Sequence, residues 1–508
     1  MEETSRSRKS IKNLIYGVSS QFVLTLIPFI TRTIFISQLG EAYLGVNSLF
    51  TSILSVLSLA ELGIGNIVVY SLYKPLAQKE TSKITALVKF YRRIYSGIAF
   101  TVLAVGAALL PFLQYLVKLP SNMEHLRLYY FLFVLNSAVS YLYVYKTSII
   151  NADQKQYIVS LYTSIAAVGQ NIAQIIILLC FKNFLLYLLV QLAFTFILNV
   201  CMSRKADKLY GINIKEACEL SKEEKRKIIN DTKSMVVYKM GGTFLNSTDS
   251  IYISTLISTI TVGLYTNYVV LENVLNKFIN LIYDAMYASV GNLNTTNDDK
   301  KKKDVFDSIC LLFFIIGTIG FSGYFSVVNN IVKLWIGDKY CLDTLTVFSL
   351  SLRFYLPIIL YPIWMYRNTT GLFKETQNIL IYAGVLNLVL SFVLGKHIGL
   401  AGIIFATSIS RFFTSFWYEP WILYKKIFVK NSYWEYIGQV VFSGLVIMLT
   451  CFCAYKIGEV VCYSSFIQLV VKGMLCIIIP LCLYCAAYVR SRQMRYLISV
   501  FVRNIRRR

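Results

Sequence analysis

Apolar runs of about 20 residues follow one another along the whole of this 508-residue chain, separated by short polar connections. At about 1.5 Å per residue, a helix of that length spans the ~30 Å of hydrocarbon in a bilayer. In that medium each backbone N–H and C=O must be satisfied within its own segment, so such runs are helices. Composition excludes a soluble chain: 56% of residues are hydrophobic and only 15% charged, against about 25% charged in soluble domains. The expected spans are 11–37, 44–70, 92–117, 126–150, 157–181, 183–202, 234–258, 262–290, 306–330, 344–366, 377–396, 399–424, 436–456 and 465–489. The expected fold is therefore all-α and polytopic, with about 14 transmembrane helices. The first run is too long for a signal-peptide core and lacks a small-residue cleavage site, so it is expected to stay as the first span.

Charge supports that count independently. If the N-terminus is cytoplasmic, the inner segments hold 36 of the 50 Lys and Arg, and the alternation between basic and poor connections never breaks. Both termini are then expected to be cytoplasmic. The net charge of +24 follows from these basic loops, which face lipid headgroups, and calls for no nucleic acid. Cys482-x-x-Cys485 lies within an apolar helix, and His125 and His397 are far from it in sequence, so no metal site is expected.

A duplication organises the spans. Thr31-Arg32-Thr33-Ile34-Phe35-Ile36-Ser37 and Thr248-Asp249-Ser250-Ile251-Tyr252-Ile253-Ser254 match position by position, and each is followed by a small turn, at Leu44-Gly45 and at Val262-Gly263. Two parallel six-helix lobes are expected, 1–202 and 234–424, related by a pseudo-twofold axis along the membrane normal. An amphipathic cytoplasmic linker helix, 203–233, would join them, with spans 13 and 14 and a basic tail in 425–508 as peripheral additions. The sharp difference between the copies is Arg32 against Asp249. Charge inside apolar sequence marks a pathway or binding site more often than packing, and duplicated halves around a polar site are a common transporter plan.

Gln38–Phe50, Leu57–Gly65 and Leu72–Ala77, with Val262–Tyr268 and Leu334-Trp335-Ile336-Gly337 in the second half, resemble the bacterial polysaccharide transporters. These are the flippases of O-antigen, capsule or exopolysaccharide repeat units, within the multidrug/oligosaccharidyl-lipid/polysaccharide exporter superfamily. The resemblance is strongest over 11–100, extends to about 424 and does not cover 430–508. It implies an undecaprenyl-diphosphate-linked oligosaccharide as substrate, moved from the inner to the outer leaflet by alternating access. It also implies Na⁺ or H⁺ coupling with no other cofactor, a monomer in the lipid bilayer, and a polysaccharide polymerase and chain-length regulator as partners.

The charged residues agree with that cargo. A diphosphate needs fixed cations, and a guanidinium makes paired, charge-assisted bonds to phosphate oxygens. Arg32, Lys239, Arg353, Arg411 and Lys277 are the candidates, each with a helix-joining ion pair as its alternative role. Lys146, nearer a span end, is expected to snorkel to the interface. Asn273, Asn276, Asn280 and Asp284 form one helical stripe that would line a sugar-binding cavity. Asp249 is a candidate cation or proton site, or else a structural partner for a basic residue such as Arg32. A polymerase or glycosyltransferase is disfavoured because the outer connections are short and their acids scattered, and an ATP-driven pump because no phosphate-cradling Gly-rich loop is present. A cation-coupled multidrug exporter of the same fold is the competing function.

Overall fold

The computed structural model describes residues 24–506 except 59–63, 120–122, 213–218, 227, 230–240, 244, 246, 295–297 and 461–464. Lys239 falls outside the described residues. The described chain is helical almost throughout and contains no strand, as an all-α polytopic fold requires. Ten described helices are long and apolar enough to cross a membrane. The expected spans missing from that ten have particular reasons. The described part of span 1, Leu24–Leu39, is short, and the described parts of span 2 lie in Glu41–Leu57 and Ile64–Ala77, of 17 and 14 residues. In span 7 only Asp249–Leu256 is a continuous described helix, and Thr259–Asn294 carries many amides and charges along its 36 residues.

Two compact units make up the chain, Met1–Gly263 and Leu264–Arg508. In the first, α1 (Leu24–Leu39), α2 (Glu41–Leu57), α3 (Ile64–Ala77) and α4 (Thr81–Leu109) are followed by a short turn of helix, α5 (Leu113–Leu116). Three long helices come next: α6 (Leu126–Ala152), α7 (Gln156–Phe181) and α8 (Phe184–Tyr210). The core between α3, α4 and α6 is rich in tyrosine, with Tyr91, Tyr95 and Tyr145 buried among Leu87, Ile149 and Val68. A Ser71–Tyr91 hydroxyl contact of 2.8 Å satisfies one of these phenols. Helix α8 begins where the Asn183 side chain accepts from the Leu186 N–H at 3.1 Å, and ends at Gly211, whose φ of 60° suits glycine.

The small turns expected at Leu44-Gly45 and Val262-Gly263 are not turns. Each pair lies four to five residues inside a helix, in α2 and in α10 (Thr259–Asn294). The chain reverses earlier, at Gly40 (φ 85°) and around Ile257. The glycines serve a different end. Gly45 lies against the start of α10 so closely that a Cβ on it would stand 2.0 Å from the Thr259 carbonyl oxygen. A Cβ on Gly263 would stand 3.0 Å from the Gly45 backbone nitrogen. The two glycines that follow the duplicated stretches thus touch each other. The junction is completed by Ser254 and Thr259, both fully buried and 2.8 Å apart, and by a backbone pair of 2.9 Å between Thr259 and Lys118.

The linker is not one helix. Residues 203–210 continue α8, and the described part further on begins a short helix with a capping box, Ser221 and Glu224 bonding each other's backbone N–H at 3.1 and 3.2 Å. Glu219 binds Lys225 at 2.7 Å, Arg93 at 2.8 Å and Lys89 at 3.7 Å, tying this segment to α4. Hydrogen bonds from Lys225 and then Arg93 lower the Glu219 carboxyl to about 2. A depressed acid contributes above its ordinary pKa and loses that contribution as pH falls through about 2. The tie is therefore intact at every physiological pH. Glu219→Gln is expected to raise the rate of tryptic nicking within 203–233 at neutral pH, and high salt to raise it in the parent. Equal nicking in parent and variant would show that the tie does not order the segment.

In the second unit α11 (Asp299–Trp335) is the central helix. It packs against α12 (Thr344–Thr370), α16 (Tyr433–Val460) and α17 (Ser465–Tyr488). The C-terminal spans are joined to it by a buried hydroxyl network. Thr318 on α11 lies 2.9 Å from Ser443 and 3.1 Å from Tyr484, and Tyr355 on α12 lies 2.6 Å from Ser443. Their outer faces are apolar and exposed, as at Met448, Phe452 and Ile478. The remaining helices are α13 (Phe373–Ile398), α14 (Leu400–Phe413), α15 (Ser415–Lys426) and α18 (Arg492–Arg506).

Candidate functional site

Helix α12 carries the second unit's charged ladder. Asp343 caps its start, accepting from the Thr346 N–H at 3.0 Å, and Gly371 in the left-handed region ends it. Arg353 and Arg367 are four helical turns apart, about 21 Å along the axis. At the first level Arg353 pairs with Glu272 of α10, donates to the Tyr265 hydroxyl and lies over that ring, 5.3 Å from its centroid. At the second, Arg367 donates to Glu419 of α15 at 3.2 Å, and the Trp364 indole N–H donates to the same carboxylate at 2.5 Å. Arg411 of α14 is buried between them. Its guanidinium lies 5.9 Å from the Trp364 ring centre and within electrostatic reach of Glu419, Arg353 and Glu272.

Three guanidiniums and two carboxylates therefore line one track through the second unit. Glu272, Arg367, Arg411 and Glu419 are all buried, where an unmatched charge is costly. Of the five expected diphosphate cations, Arg353 and Arg411 belong to this ladder, and Arg353 is engaged in the helix-joining pair that was its alternative role. Two members were missed in the sequence, Arg367 and Glu419. Glu419 stands in the run Phe416-Trp417-Tyr418-Glu419-Pro420-Trp421. The rule that flagged the other intramembrane acids applies to it equally.

The expected sugar stripe lies on α10. Asn273, Asn280 and Asp284 are exposed, while Asn276 and Lys277 are half-buried. Asn280 accepts from the Tyr361 hydroxyl of α12 at 2.8 Å. On the other side of the same helix Leu275, Phe278 and Ile282 are exposed at 39, 59 and 39%. An exposed apolar face suits lipid, whereas exposed amides at membrane depth need water or a polar ligand.

Charge in the first unit is arranged differently. Half-buried Arg32 on α1 lies near Tyr187 of α8, and its neighbour Thr31 donates to Asn171 of α7 at 2.6 Å. Gln174, one turn on, donates to the Tyr187 carbonyl at 3.3 Å. Helix α7 thus turns amides toward α1 and α8 and leaves Ile165, Ile172 and Ile176 exposed on its far side. Asp249 is 2% exposed in the first turn of α9 (Asp249–Leu256), where the partial positive charge of a helix start favours a carboxylate. In the other copy Arg32 sits within a continuous helix.

Lys146 does not snorkel. It is 7% exposed on α6 and binds Asp207 at 2.6 Å and Ser203 at 2.8 Å, both on α8. The short side chain of Asp207 lies within reach, so an internal pair forms where sequence suggested an escape to the interface. No group of three or more His, Cys, Asp or Glu residues able to hold a metal exists among the described residues.

No protein-family model and no curated protein matches the chain. Solved structures do. The lipid II flippase MurJ in an inward closed conformation superimposes with a TM-score of 0.64 at 16% identity, over 94% of this chain and 99% of that one. An inward-facing multidrug resistance MATE family transporter of the MOP superfamily gives 0.61 at 12% identity, over 79% and 96%. A point mutant of the Vibrio cholerae MATE transporter VcmN gives 0.57 at 13%, over 85% and 100%. At these identities the likeness is one of fold, shared by a lipid flippase and by multidrug transporters.

Proposed function

We propose that this chain is a flippase for an undecaprenyl-diphosphate-linked oligosaccharide, carrying repeat units of a surface polysaccharide across the cytoplasmic membrane by alternating access. One observation carries the reading. The buried ladder of the second unit holds three guanidiniums against two carboxylates, one net positive charge, beside an exposed stripe of amides. An excess of fixed cation suits an anionic diphosphate, and amides suit the hydroxyls of a sugar. Arg353 and Arg411 are the diphosphate groups of the second unit, with Lys277 at its margin. Arg32, with Lys239, serves the first. Asn273, Asn276, Asn280 and Asp284 meet the sugar, and Asp249 takes the coupling Na⁺ or H⁺. The fold is equally that of MATE transporters, so a cation-coupled drug exporter is the second reading.

The Arg353–Glu272 pair allows a clean test. Arg353→Gln alone leaves a buried carboxylate without its partner, but Arg353→Gln with Glu272→Gln removes both charges and keeps a polar amide at each position. In proteoliposomes, the parent is expected to move a fluorescent lipid-linked oligosaccharide and not a cationic dye. The double variant should fold, show a parental melting temperature within a few degrees and lose transport by at least about tenfold. Parental transport by the double variant would make the pair structural. A parent that extrudes cationic dyes and leaves the lipid-linked sugar in place would establish the drug-exporter function instead.

A further inference from the structure

A second polar feature of the Leu264–Arg508 unit stands apart from the ladder. Helix α18 packs on α11 and α17, with Met494 buried and Leu497 half-buried on one side and Arg492 and Arg495 exposed on the other. That division is the pattern of a helix lying in a membrane interface, cations toward headgroups and apolar residues inward. Its first residue, Arg492, lines a pocket of about 580 Å³ with Lys300, Lys426 and Lys430 and with Asp299 and Asp304. That volume falls in the range of about 300–1,000 Å³ usual for small-ligand sites.

The cations of this pocket are not all committed within the protein. Buried Lys303, also lining it, is matched by Asp307 at 2.5 Å and Glu435 at 3.6 Å, among the rings of Phe306, Tyr424 and Phe428. Lys426 pairs with Glu375 at 2.5 Å. Lys300, Lys430 and Arg492 are exposed, and none of the ion pairs among the described residues includes them. Val429, which also lines the pocket, is 71% exposed, and Trp434, four residues after Lys430 in the chain, is 72% exposed. A soluble anion would have no use for that apolar surface, whereas a phospholipid presents phosphate and acyl chain together, and tryptophan favours this level of a bilayer.

We infer that this pocket binds the phosphate of an anionic phospholipid, with Lys300, Lys430 and Arg492 on the headgroup and α18 lying in the same headgroup layer. The site is independent of what the protein transports. It is tested on the purified full chain in phosphatidylcholine nanodiscs, reading melting temperature as phosphatidylglycerol replaces part of the lipid. The parent is expected to be stabilised by phosphatidylglycerol. Lys430→Glu with Arg492→Glu should melt as the parent does in pure phosphatidylcholine yet need at least about tenfold more anionic lipid, at roughly fivefold per cation lost. Lys430→Ala with Arg492→Ala should give a smaller shift in the same direction. Lys333→Glu, an exposed cation elsewhere in the unit, should leave the response unchanged. Equal responses in parent and double variant would overturn the site, as would an equal loss in Lys333→Glu. Equal stabilisation by glycerol 3-phosphate would show a soluble-anion pocket and overturn it too.

Discussion

Gly45→Val should leave almost no monodisperse protein after detergent extraction. Even the Cβ of alanine at this position would stand 2.0 Å from the Thr259 carbonyl oxygen and 2.8 Å from its carbon. Both are backbone atoms, so no rotamer change relieves the overlap and the start of α10 must move off α2. That movement would break the buried Ser254–Thr259 contact and the Thr259–Lys118 backbone pair in the same step. Overpacking commonly costs about 1–3 kcal/mol, and a rigid backbone contact belongs at or above the top of that range. Gly263→Ala, with its nearest atom at 3.0 Å, should be milder. Gly97→Ala, within α4 and with nothing inside 4 Å, should be neutral or slightly stabilising. Thermal melting of the three in one detergent orders them. A Gly45→Val protein as stable as the parent would mean that the helices do not meet as described.

Arg367→Leu is expected to have the next largest effect, about 3–5 kcal/mol of destabilisation. Glu419 is 2% exposed, and losing Arg367 removes its salt-bridge partner while the Trp364 N–H remains at 2.5 Å. The carboxylate would stay buried and under-compensated. Adding Glu419→Gln to Arg367→Leu should recover a large part of the loss, because a neutral amide needs no counter-charge and can still accept from Trp364. If Arg367→Leu costs less than about 1 kcal/mol, the ladder's second rung does not hold α12 to α15.

Sequence carried the helices well because their signal is local. The runs 126–150, 157–181 and 344–366 became Leu126–Ala152, Gln156–Phe181 and Thr344–Thr370, since burial in hydrocarbon is decided segment by segment. Partnership is not local, and there the reading failed. Nothing near Lys146 announces Asp207, 61 residues away, as the group that holds it inside. Arg367 lies just past the expected end of its span, and Glu419, 52 residues on, stands within an aromatic run. The glycines of the repeat are visible in the sequence, but their purpose is not. A glycine read along the chain suggests a turn, and only the packed structure reveals that it makes room for another backbone.

The contact between Gly45 and Gly263 also bears on how such a chain can change over generations. After a duplication, two copies ordinarily drift independently, each tolerating what its own surroundings tolerate. Here the copies are each other's surroundings. A side chain acquired at one of these glycines must be accommodated by the other, so neither can change alone without cost. The two glycines would then persist through mutual constraint even while Arg32 and Asp249, which lie outside that contact, differ in sign.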